Sequence, residues 1–600
     1  MKIKYIDGHR LSRAIVAGAK RVFQRTDYLN KINFFPVPDA DTGSNISSTF
    51  QSIVNELYKE KTRCVKNTTK VAANAALIGA HGNSGVIFAQ FFYGLYNEMD
   101  DCNVLTTEKF GAAAKRSVHY VYEALSEPKD GTIISVIRDW AEGVYSHSKK
   151  KRDFVELWEY GMIVAKKSLE KTRERIESKA IEVVDAGAQG FVDFLEGIYK
   201  FISKGRIKDL TQEIAQIPDF SADIDDHTAE SLKDIDYRYC TEFLIKGASL
   251  ETNQLRARLH GLGDSIVAAG SKSISRVHIH TDRPDKVMEK ISRQSTEIVE
   301  QKVDDMKTQY IDSNTSHSKI ALVADTACNL PQNIIDKYNI HIIPFNVIFG
   351  NEKFLDTLTI SQDQFYVKMK KKGARAKTSQ PSPGYFKKMY KSLLNHYETV
   401  ISIHLAKPVS GAFQAAQNSA SEFGDKVQVI DSKNITIGEG LLVKRVAQMI
   451  SDGKSFDDII NTIPEIRENI QLFVSVPDVD TLMRSGRVSK AKGVLAKLFK
   501  IKPIITLDKN GVPIRSDKAF TKAGLKKKLL DFMNNYLKDK KNPEFMVAHV
   551  DTPETAQYYA DFIKKNYYQN EVEIVHGSPV LASHTGLGTA AIGVSWEDEC

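Results

Sequence analysis

Residues 33–49 read Asn-Phe-Phe-Pro-Val-Pro-Asp-Ala-Asp-Thr-Gly-Ser-Asn-Ile-Ser-Ser-Thr, and they place several oxygen ligands in one turn that opens a helix. Pro36 and Pro38 hold the chain extended, because proline fixes its own φ and pushes the preceding residue out of the helical region. Asp39 and Asp41 are two positions apart, so both carboxylates can point to one side of such a segment. Since Mg²⁺ prefers carboxylate, water and phosphate oxygens, the stretch predicts either an ATP–Mg²⁺ site or, more simply, a capped helix N-terminus.

Hydroxyl and amide groups follow the two aspartates at the start of the helix. Thr42, Ser44 and Asn45 supply side-chain oxygens, and the backbone N–H groups there favour an anion through the helix dipole. A second polar stretch, Gly-Ala-His-Gly-Asn-Ser-Gly at residues 79–85, lies between two apolar runs with helical spacing. Its three glycines let the backbone approach a ligand closely. Together the two stretches favour a phosphate-binding site over a helix cap.

These stretches resemble the motifs of the DhaL-type kinase domain, which occurs in dihydroxyacetone kinases and in bacterial fatty acid kinases of the FakA type. Gly131-Thr132-Ile133 and Val184-Asp185-Ala186-Gly187 resemble two later motifs of the same domain. The resemblance implies an all-α helical barrel over residues 1–204. It also implies that Asp39 and Asp41 bind Mg²⁺ and are catalytic, with Asn33 where dihydroxyacetone kinases have a third, acidic ligand. The residues implied to bind the nucleotide are Thr42, Ser44, Asn45, Asn83, Ser84 and Asp185.

The totals of the sequence set the limits of the protein class. The chain has 600 residues, which indicates three or four domains, and its 42% apolar and 26% charged residues are ordinary for a globular protein. The net charge of +8 is mild and dispersed, so we expect no nucleic-acid binding. The five scattered cysteines indicate a reducing compartment. With no signal-peptide pattern and no apolar run near membrane-spanning length, we expect a soluble cytoplasmic protein.

Beyond the helical region, residues 205–235 are rich in acidic residues and serine and predict a linker. Three β-type segments follow, and on a strand the side chains of His278 and His280 would point to the same side. With Cys240 they would suit Zn²⁺, although two surface histidines on an edge strand are the simpler interpretation. Tyr-Cys-Thr-Glu-Phe at 239–243 and Val-His-Ile-His-Thr-Asp at 277–282 resemble the middle domain of FakA-type kinases, which implies a small α+β domain at 236–310 with these three zinc ligands.

From residue 319 onward, strands alternate with helical stretches, which predicts a parallel sheet covered on both faces. Ligands of such sheets bind at the carboxyl ends of the strands. Three polar loops could meet there, at 378–384, 410–414 and 584–588, and their hydroxyl and imidazole groups could hold a carboxylate. A hydrolase that uses Ser410 with His584 is the alternative, but Ser410 lacks the Gly-x-Ser-x-Gly elbow of such nucleophiles.

The same loops resemble the motifs of the DegV family, whose members bind one long-chain fatty acid. The resemblance covers residues 319–600 and implies an α/β region of two subdomains. The positions implied to bind the fatty acid head group are Thr378, Ser379, Ser410, Arg487 and His584. Apolar residues such as Val488, Val494, Leu495 and Leu498 would line the acyl tunnel or would simply be core.

The three resemblances in this order imply a multidomain kinase that uses ATP, Mg²⁺ and Zn²⁺ to phosphorylate a fatty acid carried by its own C-terminal domain. Such a phosphotransferase with a carboxyl acceptor would make acyl phosphate for phospholipid synthesis, with acyltransferases as users of the product. The alternatives are a dihydroxyacetone-type kinase and a lipid-binding protein with a degenerate kinase domain. We also expect a homodimer and no integral membrane segment.

Overall fold

The computed structural model divides the chain into two compact units, Met1–Asn314 and Thr315–Cys600. Three parts of the predictions lie outside the described residues: Asp39 within 34–40, most of the linker within 205–234, and Arg487 with the tunnel residues within 487–500. The structure describes residues 2–33, 41–60, 62–101, 103–126, 128–175, 184–204, 235–295, 297–314, 318–486, 501–569 and 571–597.

The first unit begins with a helical domain, as predicted. Its helices are Gly8–Phe23, Thr26–Lys31, Thr42–Lys59, Val65–Gly79, Gly82–Glu98, Thr107–Ala124, Ile133–Ser148, Phe154–Lys171 and Ala186–Lys204. Two short strands, β1 (Tyr5–Ile6) and β2 (Leu105–Thr106), pair antiparallel beside them.

Aromatic side chains form the centre of the helical domain. Phe50, Phe88 and Phe194 come from three helices and are all buried; the ring of Phe50 stacks on Phe194 at 4.7 Å and meets Phe88 edge-on at 5.1 Å. Complete burial of each ring stabilises the fold by about 2–3 kcal/mol. The helices Thr42–Lys59 and Gly82–Glu98 pack their apolar faces into this core, so each holds the polar loop at its N-terminus in a fixed place.

A four-stranded antiparallel sheet, here called the middle sheet, completes the first unit. Its strands are β3 (Tyr239–Lys246), β4 (Asp264–Gly270), β5 (Ile274–Thr281) and β6 (Glu297–Asp305), in the order β4-β5-β3-β6. Helices Thr252–Leu259, Pro284–Ser292 and Met306–Asn314 accompany it. Val267 and Ala269 of β4 belong to the same hydrophobic core as the helical domain. The middle sheet is therefore packed into that domain, and the two form one body.

The second unit contains two larger sheets. The first is parallel, with β7 (Ile320–Asp325), β8 (His341–Ile343), β12 (Thr399–His404) and β13 (Val427–Asp431) in the order β13-β12-β7-β8. Separate hydrophobic clusters cover its two faces, which confirms the predicted doubly covered parallel sheet. A small antiparallel sheet follows, with β9 (Asn346–Phe349), β10 (Glu352–Leu355) and β11 (Ala376–Ser379).

The second large sheet has six strands of mixed direction in the order β16-β15-β14-β19-β17-β18. These are β14 (Ile470–Ser475), β15 (Lys502–Leu507), β16 (Pro513–Ala519), β17 (Lys541–His549), β18 (Glu573–His576) and β19 (Ala590–Glu597). The helices of this unit are Gln332–Lys337, Gln362–Met369, Pro383–Leu393, Ala412–Ala420, Ile437–Ser451, Phe456–Glu468, Val479–Ser485, Lys522–Leu537, Pro553–Tyr567 and Pro579–Thr585. In the described part of the chain, we find no helix with the length and apolar character needed to cross a membrane.

Candidate functional site

A cavity of about 270 Å³ in the first unit, called the first cavity, brings the sequence motifs together. One side is formed by the polar stretch around Asp41, by the glycine-rich loop (residues 79–85) and by the two later motifs. The other side is formed by one face of the middle sheet. The candidate residues that line the cavity are Asn33, Asp41, Thr42, Asn45, Asn83, Ser84, Asp185, Cys240, His278 and His280.

The glycine-rich loop is shaped for close contact with a ligand. Gly82 has a φ of +59°, and a Cβ there would lie 2.4 Å from the Asn45 side chain, so only glycine fits. The side-chain oxygen of Asn83 is buried and has no hydrogen-bond partner among the described residues. A buried polar atom without a partner is costly, and a bound polar ligand would satisfy it. The loop therefore fits a phosphate-bearing ligand, which ATP with Mg²⁺ would supply.

Ser44 does not belong to this group, which corrects the prediction that it binds phosphate. Its hydroxyl accepts a hydrogen bond from the Asn30 amide at 3.1 Å, and its backbone N–H donates to the Asn30 side-chain oxygen at 3.1 Å. Ser44 is buried and is not part of the cavity wall. It fixes the start of helix Thr42–Lys59 against helix Thr26–Lys31, because its position on the helix turns it away from Asp41.

Asp185 connects the two later motifs. Its Oδ1 accepts hydrogen bonds from the backbone N–H groups of Ile133 at 3.1 Å and Ala188 at 2.7 Å. Burial raises the pKa of Asp185 to about 6, although the two N–H donors act in the opposite direction. This carboxylate therefore starts helix Ala186–Lys204 and holds the third motif beside it.

The face of the middle sheet that lines the cavity carries a group of metal-ligating side chains. Cys240 pairs across the strands with His280, and Glu242 pairs with His278, so all four side chains point to the same face. The Nε2 atoms of the two histidines are 3.3 Å apart, and one ligand atom from each of Cys240, His278 and His280 lies within 4.8 Å of the others. Because β5 is an inner strand and both histidines are buried, the edge-strand alternative is wrong.

The chemistry of this group fits Zn²⁺. Two imidazole ligands of a tetrahedral zinc ion lie roughly 3.4 Å apart, which the two Nε2 atoms match. A carboxylate supports the far nitrogen of each ring: Glu242 Oε1 lies 3.2 Å from His278 Nδ1, and Asp264 Oδ1 lies 3.5 Å from His280 Nδ1. Such partners direct Nε2 towards the metal. Burial lowers the pKa of His278, which favours the neutral ring that binds metals, and raises the pKa of the Cys240 thiol, so metal binding would release its proton.

Two charged residues of the same face were not predicted from the sequence. Glu242 contacts His81 and Gly82 of the glycine-rich loop in addition to His278. Although burial opposes ionisation, the hydrogen bonds from His278 and His81 hold the pKa of Glu242 well below its usual range. Lys302 lies beside Glu242 on β6, is paired with Asp304 and lines the cavity. A period-2 pattern could have placed Glu242 on the face of Cys240, but Lys302 is brought there by pairing between distant strands.

A second cavity of about 520 Å³ lies within the second unit. Thr378, Ser410 and His584 line it, and the Thr378 hydroxyl is 2.9 Å from His584 Nε2. Much of the remaining wall is apolar, with Val474, Val476, Leu482, Ile505, Ala548, Val550, Val580 and Leu581. Ser379 is exposed and does not line the cavity, because it is next to Thr378 on β11 and alternate strand residues face opposite sides. The predicted head-group set is thus corrected at Ser379 and extended by Gln380 and Lys407, which do line it.

The contacts of Ser410 do not favour the hydrolase alternative. Its hydroxyl accepts a hydrogen bond from the Ala412 N–H at 3.2 Å, while His584 Nε2 pairs with Thr378. A Ser–His–Asp chain occurs elsewhere, where His404 lies 2.7 Å from Ser402 and 3.0 Å from Asp325. All three residues of that chain are completely buried. Since a nucleophile needs access to its substrate, this chain joins β7 to β12 and has no hydrolytic geometry.

Three family models match successive parts of the chain. The DAK2 domain matches residues 36–200, the FakA-like middle domain of fatty acid kinases matches residues 236–313, and the DegV family (COG1307) matches residues 319–597. Fold and sites thus define a multidomain protein built on a kinase-type helical domain. In particular, the chain joins a DAK2 domain, a FakA-like middle domain and a C-terminal DegV domain.

Relatives resemble parts of the chain. An uncharacterized protein of Staphylococcus aureus (strain USA300) is 28% identical over 313 residues, which are 51% of this chain and 57% of that protein. The chain thus spans little more than half the length of this curated relative. The fatty acid binding protein DegV from Bacillus subtilis is similar over 47% of this chain and 100% of its own, with 27% identity and a TM-score of 0.44. A DegV family protein from Thermus thermophilus, described by its fatty acid binding, is similar over 46% and 100%, with 25% identity and a TM-score of 0.44.

Proposed function

We propose that the protein is a kinase that transfers a phosphoryl group from ATP to the carboxylate of a long-chain fatty acid, forming an acyl phosphate for phospholipid synthesis. The observation that carries this proposal is the meeting of the four DAK2 motif segments and the charged face of the middle sheet at the first cavity. The match to the FakA-like middle domain of fatty acid kinases supports the choice of acceptor.

The residues of the first cavity would divide the work between charge and position. When bound, ATP supplies the phosphoryl group and Mg²⁺ neutralises its developing charge. Asp41 and Asn33 would hold Mg²⁺ together with Asp39, while Thr42 and Asn45 present donors at a helix N-terminus. In such transfers, positioning and charge stabilisation provide most of the rate, so no protein nucleophile is needed.

The acceptor explains why the site needs no general base. A fatty acid carboxylate has a pKa near that of a glutamate side chain, about 4.3, and is ionised at neutral pH. No proton has to be removed before it attacks phosphorus, whereas a hydroxyl acceptor would need a base. Cys240, His278 and His280 would hold Zn²⁺ in the wall of the same cavity.

The second cavity would hold the fatty acid before and after phosphorylation. Its size lies within the usual range of small-molecule pockets, and its apolar walls suit an acyl chain. Thr378 and His584 would bind the carboxylate, with Ser410 and Lys407 nearby in the cavity wall. Acyltransferases that use acyl phosphate would then consume the product.

The test is ADP release by the purified chain with Mg²⁺, with and without oleate, and trapping of the acyl phosphate as its hydroxamate. We expect oleate-dependent ADP release with an equal amount of hydroxamate. Asp41→Asn should lower the rate by at least about a hundredfold, while Asp100→Asn, a matched change at a surface carboxylate, should not. Stimulation by dihydroxyacetone without hydroxamate would show the dihydroxyacetone-type alternative, and bound fatty acid without any turnover would show a lipid carrier.

A further inference from the structure

The carboxylate of Glu242 contacts the candidate metal site and the glycine-rich loop at the same time. Its Oε1 accepts a hydrogen bond from the Gly82 N–H at 2.6 Å and lies 3.2 Å from His278 Nδ1. Its Oε2 lies 2.8 Å from His81 Nδ1 and 3.4 Å from Arg276 Nη1. Glu242 is only 1% exposed, so these contacts are shielded from water.

Arg276 attaches the same sheet to the start of the loop. Its Nε donates to the Leu77 carbonyl at 3.0 Å and its Nη2 donates to the Ile78 carbonyl at 2.6 Å. These carbonyls end helix Val65–Gly79, immediately before the glycine-rich loop. The loop is therefore held by the middle sheet at its beginning through Arg276 and at its centre through Glu242.

The contact between Glu242 and His278 determines which nitrogen of the ring is free. Glu242 is an acceptor when ionised, so His278 Nδ1 carries the proton and donates it. Nε2 is then free to bind a metal and points towards His280 Nε2. A metal on Nε2 fixes the ring and strengthens the Nδ1–H donor, which in turn fixes the carboxylate that holds Gly82.

We propose that Glu242 is a positioning residue that couples occupancy of the Cys240–His278–His280 site to the conformation of the glycine-rich loop, so that metal binding preorganises the loop for phosphate. This inference rests on the proposed nucleotide and metal sites and deepens them by giving the metal a role in nucleotide affinity. Coupling between two sites is reciprocal, so zinc and nucleotide should each raise the affinity of the other by the same factor. We expect a factor of about ten.

The test is hydrogen–deuterium exchange of the full chain, measured by mass spectrometry on peptides that cover residues 79–85, with and without Zn²⁺ alone. Zinc should slow exchange of the loop several-fold, because Gly82 N–H donates to Glu242. In Glu242→Gln, zinc measured at saturation should no longer slow it. Equal slowing in the variant and the native protein would overturn the proposal.

Asp264→Asn is the matched control. Asp264 supports His280 as Glu242 supports His278, but its contacts are with His280 and Ser265 and not with the loop. This variant should bind zinc about tenfold more weakly and still show the full slowing of the loop once zinc is saturating. Loss of the slowing at saturation would mean that zinc acts on the loop by a route other than Glu242, and would also overturn the proposal.

A second variant keeps the test decisive if Glu242→Gln does not fold. His81 is partly exposed, and His81→Ala removes one loop contact of Glu242 while leaving all three candidate zinc ligands. Zinc should slow the loop less in His81→Ala than in the native protein, and undiminished slowing would refute the coupling. These measurements need no turnover, so a failure of the kinase activity would not be mistaken for a failure of this inference.

Discussion

Replacement of Arg276 by methionine should destabilise the first unit strongly. The guanidinium group is 1% exposed and joins Glu242, Glu300 and two backbone carbonyls. Methionine has a similar volume, so the variant removes the charge and the donors without opening a large cavity. What remains is a buried carboxylate without its cation and the carbonyls of Leu77 and Ile78 without donors.

The size of the effect follows from these lost partners. Breaking a buried ion pair by removing one member costs about 3–5 kcal/mol, and each orphaned carbonyl adds about 1 kcal/mol or more. Because His81 and His278 still donate to Glu242, we take the lower part of this range and expect about 4 kcal/mol. With a urea slope of about 3 kcal/mol per molar, the unfolding midpoint should fall by more than about 1 M.

The assay is urea unfolding followed by tryptophan fluorescence. Trp140 and Trp158 lie in the first unit and Trp596 in the second, so a Trp596→Phe background makes the signal report on the first unit alone. The matched control is Arg283→Met, which removes an ion pair of a largely exposed arginine and should cost less than about 1 kcal/mol. An Arg276→Met midpoint no lower than that of the control would refute the assignment of Arg276 as the clamp between sheet and loop.

Further predictions concern the two cavities. Cys240→Ala should lower zinc content from about one ion per chain to near zero by elemental mass spectrometry, while Cys64→Ala, at another free cysteine of the same unit, should leave it unchanged. Thr378→Val should weaken oleate binding about fivefold in a fluorescent displacement assay, because a buried hydrogen bond is lost, and Ser379→Ala should not. Burial raises the pKa of Asp185 to about 6, above its unfolded value, so the folded state holds this proton more tightly and loses stability as pH rises from about 4 through 6. Asp185→Asn should therefore be more stable than the native protein at pH 7.5, by roughly 3 kcal/mol in urea titrations, and a less stable variant would contradict this.

Local patterns in the sequence predicted the parts of the structure that depend on neighbouring residues. The helix that begins at Thr42 and the one that begins at Gly82 follow from apolar spacing after a polar loop. The common face of His278 and His280 follows from the two-residue period of a strand. The parallel sheet of the second unit follows from short apolar runs between helical stretches.

Contacts between distant segments were not predictable in this way. Lys302 faces Glu242 only because β6 pairs with β3, and Asp264 reaches His280 only because β4 pairs with β5. The six-stranded sheet places β19, the last strand, between β14 and β17, and no local pattern specifies that order. Ser44 shows the opposite error, since a motif position was given a ligand role although its helix face turns it towards Asn30.

The contribution of β4 to the core of the helical domain has a consequence for biosynthesis. Proteins fold from the N-terminus as they leave the ribosome, which adds about 5–20 residues per second. The helices up to Lys204 emerge first, but Val267 and Ala269, which pack into their core, follow only several seconds later. During that interval the apolar surface that will receive them stays open to solvent or to a chaperone.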